Sequence, residues 1–246
     1  MNNTRRTKTF ISTMILAAAS AAGYAGYLSH SLHLYFALAV LALAAATSRM
    51  KVKLPGMNSN MSVNLPFLLT AVVSLSAVEA VAITCVSTAV QCWPKKQAKF
   101  NAQQMAFNIS MMSLATCMAS LIYHAQWSFS LDRTSLGNPL GLVVAATTLF
   151  LGQTAPVAAI IALSEGKAVG SIWWGLVHLS FPYYVVSAGV SSMVQMVSTH
   201  LGWELALAVF PVMYAIHRSY SLYFGKMQEP VPAPMQVMVK AAGVGA

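Results

Sequence analysis

The chain has 246 residues, of which 57% are hydrophobic and only 8% charged. A soluble domain of this size carries roughly a quarter charged residues, so too few ionic groups remain here to solvate a water-soluble globule. The formal charge of +9 does not point to nucleic acid, because the basic residues fall in short clusters between apolar runs and build no aromatic-interleaved basic surface.

Eight apolar segments follow one another at about 10–29, 32–48, 65–77, 78–93, 101–124, 139–163, 170–196 and 201–218. About twenty apolar residues suffice to cross a bilayer as a helix. The pattern therefore predicts an all-α integral membrane protein, a bundle of about eight transmembrane segments. The first follows Arg5, Arg6 and Lys8, as the apolar core of a signal peptide would. Its apolar run continues to Leu28 and more spans follow, so we read it as an uncleaved helix.

The small-residue stretches "AAASAAGYAG" and "ALALAAATS" suit close approach of helix backbones. After the second segment, Val52 and Leu54 alternate with lysines, and Met61, Val63 and Leu65 alternate with polar residues around "PGMNSN". This predicts a short cytoplasmic β-hairpin near 51–65, with an irregular loop as the alternative. The third and fourth segments are each shorter than a perpendicular crossing. They form either a shallow hairpin bent near "SLSAVEA" or one long tilted span.

The loop 125–138 is polar and is expected to rest on the membrane surface through Trp127 and Phe129. Pro156, Pro182 and Pro211 should kink their spans. Residues 1–226 then make one transmembrane domain and 227–246 a flexible cytoplasmic tail.

Lysine and arginine placement tests the threading. With eight crossings and the N-terminus inside, thirteen of the fourteen basic residues lie in the cytoplasm, and only Arg133 lies outside. Merging segments three and four would send half of the clusters to the wrong side. Both termini are therefore expected to be cytoplasmic.

Polar residues inside apolar spans are the natural site candidates. At about 1.5 Å per residue from the basic side, His178 lies about 16 Å deep, Gln153 about 18 Å and Asn108 about 13 Å. With Tyr183 and Tyr184 they could form a midplane layer that binds a solute or a proton, or they could bond one another and set helix register. A second layer collects at the opposite rim: His30, His33, Glu79, His124, Asp132, His200 and Glu204. Such a rim could sense pH or simply be solvated. Glu79 stands out because it lies in the short apolar pair rather than in a loop.

No nucleophile, metal or phosphate motif is present among the sequence patterns, and Ser180 near His178 is not enough for one. Five acidic residues, all but Glu79 at helix ends or in loops, leave little for metal or phosphoryl chemistry. We expect no enzyme, no catalytic residues, no metal site and no cofactor. Cys85, Cys92 and Cys117 have no CxxC spacing and are read as buried thiols. Trp93, Trp173, Trp174 and Trp203 fit interfacial anchoring.

The run "KVKLPGMNSNMSVNLPFLLTAVVSLSAVEAVAITCVSTAV", the basic turn and "KFNAQQMAFNISMMSLATCMASLIYH" after it, and the closing "FPVMYAIHRSYSLYFGKM" together resemble a known arrangement. It is the N-terminal membrane module that precedes HD-type phosphohydrolase and GGDEF output domains in bacterial signalling proteins. The short segment pair also resembles, more loosely, the substrate-binding S components of vitamin transporters.

The resemblance covers nearly all of residues 10–226 and implies a bacterial inner membrane and a sensory or ligand-binding task. In that family the exit helix, here Arg218, Tyr220 and Tyr223, leads into the output domain. About twenty residues follow it here, so the output domain is expected either to lie on a separate cytoplasmic protein or to have been lost. Glu79 also stands beside the place where relatives tend to be small and glycine-rich, a departure that bears on any shared pocket. The sequence thus predicts a non-enzymatic sensor whose partners are the lipid bilayer, an output protein and a small ligand, compatible with a homodimer. A solute transporter or transporter subunit is the alternative.

Overall fold

The computed structural model describes residues 2–28, 32–49, 51–53, 60–62, 64–94, 101–125 and 137–201, together with Ala215, Arg218 and Ser219. Over these the chain forms α1 Asn2–Leu28, α2 Leu34–Ser48, β1 Lys51–Lys53, β2 Asn60–Ser62, α3 Leu65–Ser74, α4 Ala77–Cys92, α5 Ala102–His124, α6 Gly137–Glu165 and α7 Val169–Leu201. Three stretches, Arg5–Leu28, Ala102–His124 and Leu140–Glu165, are long and apolar enough to cross a membrane. Helices α2, α3 and α4 are apolar but shorter. Most of the expected eighth segment, Pro211, the 126–136 part of the polar loop and the 227–246 tail lie outside the described residues.

Local chemistry sets the helix ends. Asn101 precedes α5, and its side-chain oxygen accepts the N–H of Gln104 at 3.1 Å. Helix α6 closes at Gly166, which adopts a φ of 70° and donates its N–H to Ala162 O at 2.8 Å. Pro66 sits in the first turn of α3, where its missing N–H has no helical partner to lose. Leu75 and Ser76 are extended and separate α3 from α4. Pro156 and Pro182 lie inside α6 and α7, which run through them. Each withholds the N–H that the carbonyl four residues earlier, Gly152 or His178, would have accepted.

Helix α5 is the shared wall, packing against α1, α4 and α6, while α6 packs against α7 and α2 against α4. Gly152 of α6 meets Ala115 of α5 so closely that a Cβ on Gly152 would sit 2.8 Å from the Ala115 Cβ and 3.2 Å from its Cα. Backbones of apolar helices approach in this way where side chains are smallest. Between α4 and α5 a row of polar rungs fixes an antiparallel register: Thr84 with Thr116 at 3.1 Å, Cys85 with Ser113 at 3.0 Å, and Asn108 Nδ2 donating to Cys92 Sγ at 3.3 Å. Thr84 already donates to Ala80 O at 2.8 Å, which makes Thr116 the donor between the two threonines. Cys117 is buried and donates to Ala21 O of α1 at 3.4 Å, whereas Cys85 and Cys92 are half-buried, and all three are free thiols.

Helix α3 is the centre of the bundle. Every residue from Leu65 to Val73 is buried, among α2, α4, α5, α6 and α7. Thr70 of α3 meets Ser191 of α7, and one turn further along α7 Gln195 meets Tyr123, next to the His124 that reaches the last turn of α3. Helix α3 thus runs alongside α5 and α7 in the same sense, opposite to α4. The pair is a helical hairpin with its tip at Leu75–Ser76. At about 1.5 Å per residue α3 is about 15 Å long, half the thickness of a bilayer's hydrocarbon core. Just before α3, β1 and β2 pair antiparallel, with Lys51 opposite Ser62, Val52 opposite Met61 and Lys53 opposite Asn60.

Candidate functional site

The tip of the α3–α4 hairpin gathers polar groups from five helices or their flanks. Ending one helix and starting another within two residues frees carbonyls on α3 and N–H groups on α4. Ser76 and Glu79 form a capping box on the α4 side: the Glu79 N–H donates to Ser76 Oγ at 3.4 Å, and Ser76 N–H donates to Glu79 Oε2 at 3.0 Å. The Ser76 hydroxyl also donates to Oε2, at 2.7 Å. The other carboxylate oxygen, Oε1, accepts the backbone N–H of His33 at 2.5 Å, which ties the residue before α2 to the first turn of α4. Glu79 is 7% exposed, and its negative charge lies at the positive end of the α4 dipole.

On the α3 side, His124 Nε2 lies 3.0 Å from Val72 O and 3.2 Å from Leu75 O. Both partners are carbonyl oxygens, so Nε2 carries the proton. The imidazole stands edge-on to Tyr123, with ring centroids 5.2 Å apart. The Tyr123 hydroxyl accepts from Gln195 Nε2 of α7 at 3.1 Å. His33, Glu79 and His124, three members of the rim layer expected from the sequence, thus join at one break in the backbone. His30, Asp132 and Glu204 lie outside the described residues, and His200 falls in the last turn of α7.

The expected midplane layer divides. The Tyr184 hydroxyl of α7 donates to Gln153 Oε1 of α6, and the Tyr184 ring packs edge-on against Phe150 at 4.9 Å. Next to Gln153, Thr154 accepts from Trp173 Nε1 at 3.2 Å and donates to Phe150 O. Tyr183 stands edge-on to Tyr184 at 6.4 Å. Asn108 belongs instead to the α4–α5 rungs. His178 is exposed on α7 with its ring 6.1 Å from that of Trp174. The hydroxyl of Ser180 is committed to Leu176 O at 2.5 Å. Of the exit residues, Arg218 is helical and exposed, while Tyr220 and Tyr223 lie outside the described residues.

Two features went unnoticed in the sequence. Ser-Ala-Val-Glu over 76–79 is a capping-box pattern and could have been read directly. Asn64, just before α3, is 4% exposed and its Nδ2 has no hydrogen-bond partner among the described residues; Thr88 and Ser120 hydroxyls share that condition. No sequence signal marks these three. The chain matches no protein-family model, no curated protein and no solved structure.

Proposed function

We propose that this chain is a non-enzymatic sensory module of a bacterial inner membrane, threaded by eight segments with both termini in the cytoplasm. The observation that carries this is the clasp around Leu75–Ser76, where Glu79 and His124 hold the outer end of a half-length, fully buried helix. Glu79 accepts from backbone N–H groups and His124 donates to backbone carbonyls, so both bond to backbone groups rather than to an opposite charge. A change in their protonation, or a ligand that competes for those backbone groups, alters what holds α3 in place.

Movement of α3 passes to α7 through Thr70 and Ser191, which are 3.3 Å apart. From α7 the change would pass through the eighth segment, which lies outside the described residues, to the exit residues around Arg218, where an output protein would read it. Such a shift needs a stimulus with unequal affinity for two packings. Paired spin labels at the exposed Ser74 and Ser219 test it. The distance between them should change between neutral and acidic buffer, and His124→Ala should abolish the change. Equal distances in both buffers would remove the proton-sensing form of this proposal.

A second reading, a solute transporter or a transporter subunit, draws on Asn64. It places an unpartnered buried donor at the inner start of a half-length helix, and transporters place binding groups at such interrupted helices. Solute flux into proteoliposomes that Asn64→Ala abolishes would favour it.

A further inference from the structure

Away from the clasp, at the other end of the bundle, the first three turns of α1 and the last turn of α6 enclose an open crevice of about 470 Å³ lined by Arg5, Arg6, Thr9, Phe10, Thr13 and Leu163. Residues 5, 9 and 13 repeat every four positions, and 6 and 10 lie beside them, so the α1 lining is one continuous face. At about 1.5 Å per residue it runs about 12 Å along the helix. Its chemistry is graded, with guanidinium groups at the helix start and then hydroxyls and a phenyl ring facing Leu163. Below it the same helix turns apolar side chains outward, with Ile15 40% and Leu16 70% exposed.

The charge in this crevice is unbalanced. Helix α1 has no acidic residue in its first turn. The nearby carboxylate of Glu165 is already paired with Lys167 at 2.7 Å, and among the described residues no acid pairs with Arg5 or Arg6. Cations near a helix N-terminus oppose the helix dipole, so both the dipole and the guanidiniums favour an anion here. The hydroxyls of Thr9 and Thr13 donate to Arg5 O at 3.0 Å and Phe10 O at 2.8 Å. That leaves the arginines as the charged donors, in the forked geometry that suits a phosphate.

We propose that this crevice binds the phosphate of an anionic phospholipid, with Arg5 and Arg6 on the headgroup and the acyl chains running past Phe10 and Leu163 along the outward apolar face of α1. A free phosphate ion shares the headgroup chemistry but has no use for the apolar wall. The crevice also lies at the start of a helical stretch long enough to cross a membrane, where headgroups are found. Basic pockets between helices at this level are suited to anionic headgroups.

The test is native mass spectrometry of the full chain released from nanodiscs of equal parts phosphatidylglycerol and phosphatidylcholine. The wild type should retain phosphatidylglycerol preferentially. The double variant Arg5→Gln/Arg6→Gln should lower that retention about tenfold, and Leu163→Trp, which fills the crevice without changing charge, should lower it as well. Lys8→Gln, on the same turns but outside the lining, should leave it intact. Arg5→Lys/Arg6→Lys, checked for helicity, should restore part of it. Retention that is indifferent to Arg5 and Arg6, or that falls equally with Lys8→Gln, would overturn the site. Competition by inorganic phosphate without any lipid preference would reassign it to a free anion and overturn the lipid assignment.

Discussion

Where α5 meets α6 the chain secures its packing by removing atoms, whereas at the α3–α4 tip it does so by adding polar ones. Gly152 and Ala115 lie within continuous helices whose backbone groups are paired, save the Gly152 carbonyl that Pro156 deprives of its helical donor, so shape decides how closely they approach. At Leu75–Ser76 the helix is broken, and the freed carbonyls and N–H groups need His124, Ser76 and Glu79. An apolar interior thus imposes two demands, and each region meets the one that its backbone leaves open.

Substitution at each region tests that contrast. The largest loss is expected from Gly152→Val, because the first added carbon already meets a backbone atom at 3.2 Å. Overpacking against an unyielding wall should lower stability by about 3 kcal/mol, measured by thermal unfolding in detergent. Wild-type stability would show that the two helices separate without penalty.

Glu79→Ala should cost about 2 kcal/mol, since it strands the N–H groups of His33 and Ser76 and removes half of a capping box. Glu79→Gln, which keeps one acceptor oxygen, should lose less. Hydrogen exchange at the His33 and Ser76 amides would report the loss locally, and unchanged protection would mean that the clasp is held by other groups. The smallest effect belongs to the link between α3 and α7. A double-mutant cycle of Thr70→Ala and Ser191→Ala should give a coupling of about 0.6 kcal/mol, and zero coupling would cut the route from clasp to exit.

Position along the helices can be counted from the sequence, but direction around them cannot. Counting at about 1.5 Å per residue put His178 and Gln153 at similar depth, yet Gln153 bonds Tyr184 while His178 is exposed on α7. Each residue also turns a helix by about 100°. In a soluble protein the polar side would reveal which face is buried, but in an apolar bundle both lipid-facing and protein-facing sides are greasy, so that cue is lost. The short third and fourth segments were visible from their length. The partners of Glu79 were not, because His33 lies 46 positions earlier in the chain and nothing local to "SAVE" points to it.

The enclosure of α3 also has a consequence for biogenesis. A ten-residue segment is too short to anchor itself across lipid, and its partner Ser191 is synthesised 121 residues after Thr70. At ordinary rates of translation that is a delay of about ten seconds. Until α7 arrives, a segment with no lipid-facing side must wait beside α2, α4, α5 and α6 with one wall missing, an interval in which the nascent chain needs a chaperoning surface.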